Sequence, residues 1–218
     1  MNWLFRRPSL MSLAKERAST RNASSKPDHY YEKYERYFEQ LRGRTGAVAF
    51  EIGVFEGEST KILSRYLPDA RVVGVDLKLR KIDLRGYPNV RLYQGDQTDA
   101  AFLQGLAAEH APNGIDLVID DASHIGDLSR RTFEVLFPRL KSGGLYVVED
   151  WGTGYWPKWP SGHDFQPVQV EESRIRSHDY GMVGFVKSLI DNLSPGDTHL
   201  PAVAELHVFP GTAILRKA

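Results

Sequence analysis

The sequence contains no cysteine in 218 residues. That removes disulfides, thiolate metal sites and cysteine nucleophiles together, so any metal must be held by oxygen or imidazole. An excess of charge is missing too, with 28 Lys and Arg against 28 Asp and Glu. A neutral chain has no overall field to gather nucleic acid or an anionic membrane, and neither is expected as a partner. No run approaches the roughly 20 apolar residues that span a bilayer. Arg6-Arg7 is not followed by the continuous apolar stretch of a twin-arginine export signal, because Lys15-Glu16-Arg17 interrupts it. A cytoplasmic protein is expected. Internal repeats and long low-complexity tracts are also absent, which argues against a solenoid or a fibre.

What is present is enough chain for one sizeable α/β core. Met1 to Lys26 scatters a few apolar residues among Arg, Ser, Asn and Lys, and reads as a mobile N-terminal segment. Residues 27–218 read as a single catalytic domain. Tyr30, Tyr34, Tyr37, Phe38 and Leu41 recur at helical spacing over Asp28 to Arg42. Short apolar runs at Ala47 to Ile52, Arg71 to Val75, Val90 to Tyr93, Ile115 to Ile119 and Leu145 to Val148 read as strands. Helical sequence separates most of them, at Ser59 to Tyr66, Ala100 to Glu109 and Leu128 to Leu140, and Met182 to Leu193 adds a further helix. Strands alternating with helices predict a doubly wound, mostly parallel α/β sheet. Glu205 to Phe209 and Thr212 to Leu215, flanking Pro210-Gly211, predict a C-terminal antiparallel hairpin.

In such a sheet ligands bind beyond the carboxyl ends of the strands. The first end reads Glu51-Ile52-Gly53-Val54-Phe55-Glu56-Gly57-Glu58-Ser59, whose glycines permit a tight turn and close backbone approach. It is not the G-x-G-x-x-G of a dinucleotide loop, and its acids would repel a pyrophosphate. They suit a cofactor with a cationic amino-acid end, such as S-adenosylmethionine. Asp76, at the next strand end, could accept ribose hydroxyls. An ordinary strand-to-helix turn is the competing reading.

Asp121, His124, Glu149 and Asp150 are the stronger constellation, since neighbouring strands would bring three carboxylates and an imidazole to one edge. Crowded carboxylates repel and raise each other's pKa, whereas bound Mg²⁺ or Mn²⁺ turns them into a favourable oxygen site. His124, three residues after Asp121, could take a proton from a hydroxyl that the metal has acidified. The bland alternative makes these acids solvated loop residues or helix caps. Tyr155-Trp156-Pro157 and Trp159 follow directly, either as a stacking surface for a sugar or planar substrate or as an aromatic clamp.

Asp28-His29-Tyr30-Tyr31, Glu51-Ile52-Gly53-Val54, Gly95-Asp96-Gln97-Thr98-Asp99, Ile119-Asp120-Asp121-Ala122-Ser123-His124, Val148-Glu149-Asp150 and Gly154-Tyr155-Trp156-Pro157 occur in that order. In these segments the chain resembles the metal-dependent macrocin- and mycinamicin-type sugar O-methyltransferases of the class I S-adenosylmethionine-dependent superfamily. The related cephalosporin hydroxylase-like family shares the pattern. The resemblance implies a Rossmann-like sheet, with Glu51, Gly53, Gly57 and Ser59 around the methionine end of the cofactor. It further implies Asp76 at the ribose, and Asp96 with Gln97 beside the adenine. It assigns Asp121, Glu149 and Asp150 to Mg²⁺ (or Mn²⁺) and His124 to deprotonation of the accepting hydroxyl. Ala122 departs from the family's usual Gly, and the mycinamicin enzyme's large N-terminal domain has no counterpart here, which leaves the acceptor pocket open. The expected partner is a small-molecule hydroxyl acceptor, with a homo-oligomer left open. A nucleotide-dependent oxidoreductase and a catalytically silent cofactor-binding regulator are the alternatives.

Overall fold

The computed structural model describes residues 7–18, 26–163, 180–191, 193 and 202–218. Seven strands form one sheet in the order β3-β2-β1-β4-β5-β7-β6. β1 (Val48–Ile52), β2 (Arg71–Asp76), β3 (Val90–Gln94), β4 (Ile115–Asp120) and β5 (Leu140–Glu149) run parallel. β6 (Val203–Phe209) and β7 (Thr212–Lys217) form the expected hairpin, and β7 inserts antiparallel between β5 and β6. The doubly wound, mostly parallel sheet anticipated from the strand and helix order is the one observed, and it is Rossmann-like, as the resemblance implied.

β1 and β4 lie at the centre, paired on both sides, and every residue of each is buried. That explains their near-continuous apolar sequence: a parallel strand covered on both faces has no solvent side to fill with polar residues. On one face α4 (Ala100–His110), α5 (Gly126–Leu136) and α7 (Gly181–Asp191) cover the sheet, burying Leu103, Phe133, Leu136 and Phe185. On the other lie α2 (Asp28–Phe38) and α3 (Glu58–Tyr66), burying Tyr34, Phe38, Ile62 and Tyr66.

The end of α5 and the start of β5 depart from the sequence expectation. α5 stops at Leu136 and Phe137–Arg139 tightens into a 3₁₀ turn, because Pro138 supplies no N–H to continue an α-helix. β5 then starts at Leu140, five residues early, and its pairing with β4 shifts register across Lys141-Ser142-Gly143-Gly144.

The larger departure is N-terminal. Leu10–Ala18, expected in a mobile segment, is a helix, α1, with Leu10, Leu13 and Ala14 buried against the α2–α3 face. Its first turn is tied down by Leu10 N–H donating to Glu35 Oε2 at 2.5 Å, and Glu16 pairs with Arg65 of α3 at 2.8 Å. Three apolar residues one turn apart suffice once a complementary face exists to receive them. Trp3, Leu4 and Phe5 of the same N-terminal segment lie outside the described residues. Among the described residues no helix is long and apolar enough to cross a membrane.

Candidate active site

The loops after β1 and β4 meet at the carboxyl edge of the sheet. Asp121 N–H donates to the Ile52 carbonyl at 2.8 Å, so the two strand ends leave the sheet together. Gly53 sits at this seam with φ +97°, and a Cβ there would lie 2.0 Å from the Asp121 carbonyl oxygen. Only glycine meets both conditions.

Beyond the seam opens a cavity of about 380 Å³, lined by Gly53, Val54, Phe55, Ser59, Asp76, Leu77, Asp96, Gln97, Asp121 and Ala122 among others. Of the residues singled out in the sequence, Gly53, Ser59, Asp76, Asp96 and Gln97 line it. Glu51 and Gly57 do not line it. Glu51 is buried beneath the floor, where Thr60 donates to it, and burial holds its carboxyl above the usual range despite nearby Lys26. Gly57 instead begins α3 at φ +79°, packed against Ile82. The acids that face the cavity from this loop are Glu56 and Glu58.

Asp76 is already engaged. Its Oδ2 accepts Val54 N–H at 2.9 Å and Phe55 N–H at 2.8 Å, and Oδ1 accepts Lys78 N–H at 2.9 Å. It thus shapes the turn after β1, and only its remaining lone pairs can serve a ligand.

The acidic constellation assembles at the adjoining strand ends. Asp121, His124 and Asp150 offer ligand atoms that all lie within 4.8 Å of one another. His124 Nε2 stands 3.7 Å from Asp121 Oδ1 and 3.6 Å from Asp150 Oδ2. His124 and Asp150 are two of the three non-glycine residues described with positive φ, at +52° and +53°. Such conformations cost energy and persist where surrounding contacts hold them. For His124 those contacts are visible: its carbonyl accepts Trp159 Nε1–H at 3.1 Å and Thr153 Oγ1–H at 3.4 Å. Trp159 is thereby a clamp on His124, while Tyr155 and Trp156 stay exposed.

Glu149 lies deeper than its neighbour, 1% exposed. Its Oε1 accepts Tyr34 Oη–H at 2.6 Å and Lys26 Nζ–H at 2.7 Å. Burial and the Asp121 charge push its carboxyl well above the usual range, opposed by Lys26. Lys26 also bonds Asp121 and lies 3.7 Å from Glu51. Burial disfavours its charge, but these three acids together hold the ammonium's pKa above its ordinary value. Asp121 and Asp150 converge beside the His124 imidazole with Glu149 behind them, and this set of carboxylate oxygens fits a hard divalent cation.

Sequence reasoning missed Lys26, Tyr30 and Tyr34 at this edge. Tyr34 was legible only in an apolar stripe and Tyr30 only there and in the first resembling segment, and nothing local to Lys26 marks it.

Residues 50–151 match a family model described as a methyltransferase domain. The chain is 34% identical over 204 residues to mycinamicin VI 2''-O-methyltransferase from Micromonospora griseorubida, covering 84% of this chain and 47% of that protein. It is 36% identical over 205 residues to 8-demethyl-8-alpha-L-rhamnosyl tetracenomycin-C 2'-O-methyltransferase from Streptomyces olivaceus, covering 86% and 50%. Among solved structures it is similar to the MycE methyltransferase of mycinamycin biosynthesis in complex with Mg, SAH and mycinamycin VI. There the TM-score is 0.74 and the identity 32%, over 97% of this chain and 54% of that one. The chain spans about half the length of these relatives.

Proposed function

Because this chain carries a methyltransferase domain and is similar over most of its length to sugar O-methyltransferases, we propose that it is an S-adenosylmethionine-dependent O-methyltransferase. Its acceptor is a hydroxyl of a small molecule, a sugar or a glycosylated natural product, and a divalent ion, Mg²⁺ or Mn²⁺, assists. The catalytic unit comprises residues 27–218, with α1 packed onto it. The observation that carries the reading is the double position of Asp121, which lines the cavity and belongs to the acid–imidazole cluster. A cofactor in that cavity would present its reactive end to a hydroxyl held at the cluster.

When bound, S-adenosylmethionine supplies an electrophilic methyl group and the divalent ion acidifies and orients the accepting hydroxyl. Asp121, Glu149 and Asp150 would hold that ion. Gly53 lets the main chain approach the cofactor, Asp76 fixes the turn beside it, and Asp96 and Gln97 border its base. His124 takes the hydroxyl proton at a ring nitrogen, and the left-handed backbone clamped by Thr153 and Trp159 keeps that ring over Asp121 and Asp150. Holding both reactants in line supplies much of the acceleration, and no covalent enzyme adduct is needed.

Calorimetric titration of S-adenosylmethionine, S-adenosylhomocysteine and NAD⁺, with Mg²⁺ and then with chelator, tests the reading. Both S-adenosyl ligands should bind and NAD⁺ should not. A separate Mg²⁺ titration should vanish in an Asp121→Ala/Glu149→Ala double variant. Binding of NAD⁺ alone, or of no S-adenosyl ligand, would overturn the proposal.

A further inference from the structure

Three donors, two on α2 and one just ahead of it, reach the acid cluster from below. Tyr30 Oη–H donates to Asp150 Oδ1 at 2.5 Å, and Tyr34 Oη–H donates to Glu149 Oε1 at 2.6 Å. Lys26, four residues before Tyr30, donates to Asp121 Oδ2 and Glu149 Oε1. The spacing has a geometric cause. Side chains four apart on a helix stand one above the other, so Tyr30 and Tyr34 aim at neighbouring points one turn apart.

Their targets are consecutive in sequence, which an ordinary strand would not allow, because successive side chains point to opposite faces. Asp150 at φ +53° breaks that alternation and brings its carboxylate to the same side as that of Glu149. The fold also makes room for the contact. In the β6–β7 turn, a Cβ on Gly211 would lie 2.0 Å from the Tyr30 hydroxyl.

The oxygens are shared out in a regular way. The stripe occupies Asp121 Oδ2, Glu149 Oε1 and Asp150 Oδ1, while Asp121 Oδ1 and Asp150 Oδ2 turn towards His124. Asp121 and Asp150 are thus anchored through one oxygen while the other faces the site, and Glu149 is held from below through Oε1.

We propose that Tyr30 and Tyr34 are positioning residues of the metal site, whose phenol donors hold Asp150 and Glu149 by one oxygen each and aim the second oxygen of each at the ion. This rests on the metal-assisted reading above. A phenol suits the task because it donates a hydrogen bond, resists ionisation near neutral pH, and brings a rigid apolar body that packs on neighbouring rings. Tyr34 does the latter by stacking on Phe38, ring centroids 4.9 Å apart. Partners that orient metal ligands typically cost 10–100-fold in metal affinity when removed.

The test uses Tyr30→Phe and Tyr34→Phe in the full chain, each keeping the ring and deleting only the hydroxyl. Mn²⁺ affinity is measured by calorimetry and by electron paramagnetic resonance of the free ion, and S-adenosylhomocysteine affinity is measured on the same samples. Each variant should bind Mn²⁺ about 10–100-fold more weakly, with S-adenosylhomocysteine affinity held within about twofold. A merely structural role would instead weaken both ligands together. Mn²⁺ affinity within about twofold of wild type in both variants would overturn the positioning role alone. A wild-type protein that binds S-adenosylhomocysteine but no Mn²⁺ would overturn the metal reading and this proposal with it.

Discussion

Adjacent acids at the end of β4 have opposite surroundings, and the difference separates their roles. Asp121 faces the cavity, whereas Asp120 is 2% exposed beneath it, beside Tyr146. Burial pushes the Asp120 carboxyl up to about 7, and the neighbouring Asp121 charge adds to the shift. Its unfolded counterpart ionises near pH 4. Between about pH 4 and 7 the native state therefore binds more protons than the unfolded chain, and stability falls as pH rises. With chelator present, the thermal midpoint of the wild type should drop from pH 5 to pH 8 more steeply than that of Asp120→Asn. Parallel curves would refute the assignment. His124 is the other residue with a distinct expectation. His124→Ala should leave S-adenosylhomocysteine and Mg²⁺ binding nearly intact while slowing transfer by about 10²–10⁴-fold, the usual worth of a positioned acid–base group. Turnover at the wild-type rate would remove His124 from the chemistry.

Residue types at this scale were largely legible in advance, because acids and glycines at strand ends announce themselves. Their partners were not. Asp76 read as a free ribose acceptor, yet its oxygens hold the turn after β1, and Glu51 read as a cavity acid but lies under the floor. Alternation along a strand says that a side chain points to one face; it does not say whether a helix already covers that face.

Among the elements, α1 is the instructive one. Leu10, Leu13 and Ala14 are too few to predict a packed helix from sequence, and they are buried only because α2 and α3 present an apolar face to them. Leu13 is fully buried. Truncating it to Ala should cost about 2–5 kcal/mol, as for other large-to-small core changes, read from urea unfolding. An unchanged midpoint would place α1 outside the cooperative unit. The β1 and β4 strands were the reverse case, since dense apolar runs bounded by glycine and acid left little freedom of interpretation. α5 fell between, its end read four residues too far because Phe137 and Leu140 keep the apolar content going past Pro138.

Across the whole molecule, the order of strands and helices determined a parallel sheet with its ligand edge at the carboxyl ends, and composition determined that any metal there must be held by oxygen or nitrogen. Both follow from local pattern and chemistry, which a single sequence carries in full. Only the tertiary structure decided that β7 enters between β5 and β6. It alone brought Lys26, Tyr30 and Tyr34 under acids that lie 95 to 123 residues further along the chain. Those contacts depend on strand register, on which helix face turns inward, and on the left-handed backbone at Asp150 that redirects its carboxylate. Each is set by packing over long sequence distances, where propensity has no reach.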